Sequence, residues 1–334
     1  MKLKRILASR RLHVLLGIAV SAGLLIYVAS TVKWGEVLFH LRHAHLWVLI
    51  PALAVFGVHY ALRAYRWRFL LPPEKPAEFG ALFDALMVGN FATYVLPLRA
   101  GEFVRPFLLS RYSSFSFSSC FVSVVVERFF DLSMVLAAFA VVVRYIPGLP
   151  DWTHQGVIAL STLALGIFVF MLTSALAPRL ITRLIEYLSG FLPAAIRPGV
   201  HRFLTDFMRG AQVLHNPLNL TRIVLLSLLV WGSCFVLFYV FCLFFDIPPS
   251  IWIAVTVTVI IALAVAAPSA PGFLGVYQTA CLAGFQLFGI SAELAVAYSI
   301  LTHALHFALF MSYGSFALFR RNLRLADLTQ RSTS

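Results

Sequence analysis

Long apolar runs broken by short polar segments set the pattern of this chain, and the runs have helical rather than strand length. Spans are expected at about 12–30, 46–62, 116–143, 156–177, 223–245 and 292–319. Each is near the roughly 20 residues a membrane crossing needs. Two further apolar stretches, 79–115 and 250–289, are interrupted in the middle by prolines and glycines. The first break is Asn90-Phe-Ala-Thr-Tyr-Val-Leu-Pro97-Leu-Arg99-Ala-Gly101-Glu102-Phe-Val-Arg105-Pro106. The second is Ala267-Pro268-Ser-Ala-Pro271-Gly272-Phe-Leu-Gly275.

Charge placement orients these runs. Lys2, Lys4, Arg5, Arg10 and Arg11 precede the first run, and Arg63, Arg66 and Arg68 follow the second. Arg320, Arg321 and Arg324 close the chain. Lys and Arg collect on the cytoplasmic side, so both termini are expected in the cytoplasm. The segment 178–221 and its edge hold Arg179, Arg183, Arg197, Arg202, Arg209 and Arg222 against Glu186 and Asp206. It is expected to be a cytoplasmic amphipathic linker facing anionic lipid. With those ends set, 79–115 and 250–289 must each enter and return on one side. The expected architecture is an all-α polytopic membrane protein of about six full spans plus two re-entrant helical hairpins. Its halves, 12–143 and 156–319, start on opposite sides, which is an inverted-topology repeat within one membrane domain. Pro97 and Gly101 mark the first hairpin tip; Pro268, Pro271 and Gly272 mark the second.

Composition agrees. The 334 residues are 61% hydrophobic and 12% charged, with mean hydropathy +0.90. Soluble domains run nearer a quarter charged. The net charge of +13 does not point to nucleic acid, because the basic residues cap apolar runs. Cys120, Cys234, Cys242 and Cys281 lie inside apolar runs. They lack metal or disulfide spacing and read as packed thiols.

Candidate chemistry is concentrated at the first tip. Arg99, Glu102 and Arg105 lie at or just past it. Glu102 and Arg105 share a face if a half-helix starts there. An arginine beside a helix N-terminus suits a phosphate-type anion. Glu127, Arg128 and Asp131 follow within one run, where an isolated charge costs roughly 3 kcal/mol at mid-bilayer. They are expected to face the bundle interior, towards Arg99 and Arg105. The cluster either binds a headgroup or pins the hairpin, and both roles are compatible. Tyr277, Gln278 and His303 are the second-half polar candidates, with His306, His59 and Asp84 as further buried polar positions. His303 and His306 lack a nearby carboxylate or Cys partner, so no metal or cofactor is expected.

Three motifs carry a resemblance: Pro97-Leu-Arg99-Ala-Gly101-Glu102-Phe-Val-Arg105, Glu127-Arg128-Phe-Phe-Asp131 and Pro271-Gly272-Phe-Leu-Gly275-Val-Tyr277-Gln278. Together they resemble the flippase-like domain family found in lysylphosphatidylglycerol synthases and in stand-alone membrane proteins. The family tends to carry Glu where Gln278 stands, Arg near His303 and a second glycine after Pro-Gly. The resemblance implies movement of an anionic phospholipid, aminoacyl-lipid or polyprenyl-linked headgroup between leaflets of the cell membrane. It leaves room for a partner enzyme of lipid or glycolipid synthesis. The longest non-membrane stretch, 178–221, is below usual domain size, so the chain is not expected to aminoacylate lipid itself. No nucleophile elbow or nucleotide loop is present. A membrane-embedded headgroup transferase and a non-transporting accessory subunit remain as alternatives.

Overall fold

The computed structural model describes residues 2–72, 77–97, 99–146, 212–266 and 269–323, with scattered positions between 155 and 183. Among them the chain is helical: α1 Lys2–Thr31, α2 Trp34–Arg42, α3 Leu49–Phe69, α4 Phe79–Val95, α5 Gly101–Tyr112, α6 Phe117–Val142, α7 Pro217–Cys242, α8 Ile251–Ala264, α9 Val276–Gln286 and α10 Ala292–Arg320. Short 3-10 turns adjoin several of these helices, and no strand occurs among the described residues.

Three described helices, Leu46–Phe69, Pro217–Phe245 and Ala292–Arg320, are long and apolar enough to cross a membrane. The pair Leu15–Thr31 and Trp34–Arg42, bent by 88°, makes a fourth if taken as one span. The α6 helix has the length, at 26 residues, but carries three charges within five positions. The expected spans at 156–177 and the linker 178–221 lie largely outside the described residues. Pro268 lies outside them too.

Several helix boundaries follow from capping chemistry. Asn216 opens α7: its side chain accepts from the Leu218 N–H at 3.0 Å and from the Asn219 N–H at 3.3 Å. Pro217 takes the first helical position, where its missing N–H costs nothing. Hence α7 begins six residues before the apolar run does. Ser116 and Ser291 cap α6 and α10 in the same way. Residues 34–42, between the first two apolar runs, form α2. Their apolar positions repeat at helical spacing. Of these apolar positions Val37 is buried, while Trp34, Leu38 and Phe39 are exposed.

Both broken stretches fold as helix–break–helix hairpins, α4–α5 and α8–α9. Lipid supplies no hydrophobic drive between helices, so close contact rests on small residues. A Cβ on Gly101 would collide with the Gly89 carbonyl, and one on Gly89 would lie 2.9 Å from Arg105 Cβ. Glycine at 101 is therefore required by the contact between the two legs. A Cβ on Gly314 would collide with Phe91 Cβ, which seats α10 against α4. On α8–α9, Gly284 meets Val257.

The last helix is also tied to the first hairpin by charge. Asp84, fully buried on α4, accepts from Arg320 at 2.5 Å, from Arg321 at 2.8 Å and from the Tyr313 hydroxyl at 3.0 Å. The arginines that mark the end of the chain are thus also the partners of the buried Asp84.

Candidate functional site

The charged cluster forms where α3, α5 and α6 meet. Asp131 lies one helical turn after Glu127, so α6 turns both carboxylates to one face. Glu127 is fully buried, and four guanidinium groups surround it. Arg105 Nη2 from α5 lies 2.6 Å from its Oε2; Arg66 Nη2, Arg63 Nη2 and Arg128 Nη2 lie 3.2 Å, 3.5 Å and 3.5 Å from its Oε1. Asp131 pairs with Arg66 at 2.8 Å and Arg128 at 3.5 Å, and accepts from Trp231 Nε1 at 3.2 Å. Glu102 reaches Arg128 at 3.6 Å.

The cluster is graded from sealed to open. Arg66 and Glu127 have no exposed side-chain surface, whereas Glu102 and Arg128 retain 38% and 44%. Moving a charge out of water costs several kcal/mol even after relaxation, so the sealed groups require one another. Arg66 is held further by donating to Ser227 Oγ of α7 at 3.1 Å. Arg105 sits over the Trp67 ring, 3.8 Å from its centre. Such a cation over an aromatic face is attracted by the ring's electron-rich surface. Trp67 is fixed in turn, its Nε1 donating to Ser123 Oγ at 2.8 Å.

The structure thus brings together Glu102, Arg105, Glu127, Arg128 and Asp131. Glu102 and Arg105 do not pair with each other; each takes its partner from α6. The expectation that Arg99 joins the cluster is corrected. Arg99 has a left-handed backbone, φ 54°. Few non-glycine residues adopt that conformation, and here it turns the side chain to the second hairpin. There Arg99 donates to the Val265 carbonyl and lies 5.3 Å over the Phe273 ring. Phe273 is itself left-handed, φ 61°, and the Tyr94 ring lies 6.2 Å from it. The hairpin tips therefore meet, with Pro97 and Arg99 on one side and Pro271, Gly272 and Phe273 on the other. Gly272, φ 68°, lies where a Cβ would come within 3.3 Å of Tyr94.

Sequence reading missed Arg63 and Arg66. It ended the second span at 62 and treated both as markers of a cytoplasmic exit. The α3 helix continues to Phe69, and the buried series Tyr60, Ala64, Trp67 shows its inward face persisting. That spacing was the available signal.

The second-half candidates form a neutral cluster. Gln278 Oε1 accepts from the Gly275 N–H at 2.8 Å, and its Nε2 lies 2.9 Å from His303 Nδ1. The first of these contacts closes the start of α9, as the third residue of a capping box does. The Tyr277 and Thr302 hydroxyls are 3.0 Å apart. His306 turns back to the Thr302 carbonyl at 2.8 Å, so the two histidines take separate partners. His59 lies 3.0 Å from Ser233 Oγ.

The family model described as "Lysylphosphatidylglycerol synthase TM region" matches residues 14–314. A similar curated protein is the glycosyltransferase AglD of Haloferax volcanii, 24% identical over 97% of this chain and 57% of that protein. The chain therefore spans little more than half the length of that relative. No solved structure gives a significant match.

Proposed function

The chain belongs to the lysylphosphatidylglycerol synthase transmembrane-region family, and on that footing we propose that it carries an anionic lipid headgroup between membrane leaflets. The observation that supports this most is the graded charge cluster inside a membrane helix bundle. A sealed floor of Arg66 and Glu127 leads to an open edge of Arg128 and Glu102. Intramembrane ionisable groups mark substrate or proton pathways by default. In this reading Arg105 and Arg128 hold the phosphate. Glu102, Glu127 and Asp131 orient the arginines or carry a coupling proton. Arg99 stands at the junction of the tips.

The hairpins α4–α5 and α8–α9 are the re-entrant elements of this proposal, entering from opposite leaflets in an inverted repeat of 12–143 and 156–319. Both termini face the cytoplasm of a cell membrane, and a lipid- or glycolipid-synthesising enzyme supplies the substrate. Vesicles containing the protein and headgroup-labelled phosphatidylglycerol test the reading. Acceleration of transbilayer movement that Arg128→Ala reduces is the expected result; rates equal to empty vesicles refute it.

The similarity to a glycosyltransferase favours a second reading, a membrane-embedded headgroup transferase. Product formed by the pure protein from a polyprenyl-linked sugar donor would establish it.

A further inference from the structure

The hydrogen bonds around His303 run in one direction. The residue is 6% exposed and its partner Gln278 7%. The Gly275 N–H can only donate, so the Gln278 atom 2.8 Å from it is the carbonyl Oε1. That fixes the amide, and its NH2 group faces His303 Nδ1 at 2.9 Å. Nδ1 must therefore accept, which makes the ring neutral with its N–H on Nε2. The ring also bonds to the Gly272 carbonyl, which takes that N–H. His303 thus ties α10 to the second hairpin twice, at the tip through Gly272 and at the start of α9 through Gln278.

A proton reverses one link of this chain. An imidazolium donates from both nitrogens, so its Nδ1–H would meet the Gln278 NH2 group donor to donor. Rotating the amide gives His303 an oxygen but turns the NH2 group onto the Gly275 N–H. Either way one bond is lost and a buried donor is left unpaired, which is costly. The start of α9 is also the positive end of a helix, which disfavours a cation. The titratable groups facing the ring are Tyr277 of α9, 4.8 Å between ring centres, Tyr94 of α4, 5.7 Å, and His306 on α10. Cys281 lies behind Tyr277, and Arg99 lies beyond Phe273. None of these is a carboxylate, so a charged His303 has no counter-ion among them and its added N–H must compete for the Gln278 oxygen.

We propose that His303 is a proton-binding site whose occupation frees the start of α9 from the hairpin tip. This rests on the lipid-carrier reading above, where it names the proton as the coupling ion and seats it on the neutral hairpin. The carboxylates of the charged cluster are then left to orient their arginines.

Hydrogen–deuterium exchange of the full chain in detergent tests the site, read by mass spectrometry over residues 272–280 and corrected for the intrinsic pH dependence of exchange. Between about pH 8 and about pH 4.5, a range that spans histidine titration, exchange there is expected to quicken. The expected rise is about tenfold or more, as a local opening, while residues 223–240 of α7 stay protected. His303→Gln keeps an oxygen to accept from Gln278 and takes up no proton, so it is expected to abolish the rise. Gln278→Glu is expected to abolish it too, because its two oxygens accept from the Gly275 N–H and from an imidazolium together.

Unchanged protection of residues 272–280 across that range overturns the inference, as does a rise that persists in both variants. Vesicles with headgroup-labelled phosphatidylglycerol separate the two readings. Accelerated transfer without the pH-dependent opening removes the proton site and leaves the carrier. The opening without any transfer removes the carrier and leaves the proton site.

Discussion

The two hairpins share a shape but not a chemistry. On α4–α5, Arg105 and Glu102 reach into a network of ionised groups completed by α3 and α6. On α8–α9, Gln278 and Tyr277 meet His303 and Thr302 through uncharged hydrogen bonds. A broken helix in a membrane has to satisfy its freed backbone groups, and either chemistry does so. Gln278 illustrates this by accepting from the Gly275 N–H at the start of α9. Charge at the first hairpin exceeds that structural need. It also ties α3, α5 and α6 to one another.

If this contrast is correct, the largest effect comes from Glu127→Ala. It leaves Arg66 and Arg105 buried without their shared carboxylate. Breaking a buried pair in this way is expected to cost about 3–5 kcal/mol. Thermal unfolding in detergent would measure it, and a change below about 1 kcal/mol would mean that the cluster is wetter than its burial indicates. Gly101→Ala comes next. Its methyl group meets the Gly89 carbonyl and Thr93. The hairpin legs must then separate, at about 1–3 kcal/mol. An unchanged melting temperature would disprove the leg-to-leg contact.

Gln278→Ala sharpens the comparison from the other side. It removes a bond to the Gly275 N–H and one to His303. The expected loss for these neutral bonds is about 1 to about 2 kcal/mol in the same assay. A loss matching that of Glu127→Ala would erase the distinction between the hairpins. Lys33→Ala supplies the baseline. Its pair with Glu36, at 3.4 Å, is exposed at both ends. Exposed pairs contribute little, so its removal is expected to leave the melting temperature unchanged within error.

Much of the fold could be read from the order of residues. The breaks at Pro97–Gly101 and Pro271–Gly275 stand out because proline and glycine interrupt apolar runs. The pairing of Arg105 with the Glu127 region was anticipated, because ionised groups inside a membrane seek one another. The role of Arg66 was not. An arginine at the edge of an apolar run looks the same whether it meets the lipid headgroups or turns inward, and only the continuing buried face of α3 separates the two. Arg99 was misplaced for a different reason. Its left-handed backbone sends the side chain to the opposite hairpin, and nothing in helical spacing anticipates a positive φ at a non-glycine residue.

The sequence by itself determined that this is a helical membrane protein and where its helices break. Apolar length and the punctuation of proline and glycine are local properties. The tertiary structure alone decided which arginine answers which carboxylate and that the two hairpin tips touch. Arg66 and Glu127 lie on separate helices, Arg99 and Val265 on separate hairpins, and Arg320 and Asp84 are 236 positions apart. Lipid is as apolar as the helix faces it surrounds, so hydropathy does not reveal which face packs on a neighbour. Close contacts at Gly89, Gly101 and Gly314 make that choice, and the charges are paired as those contacts bring them together.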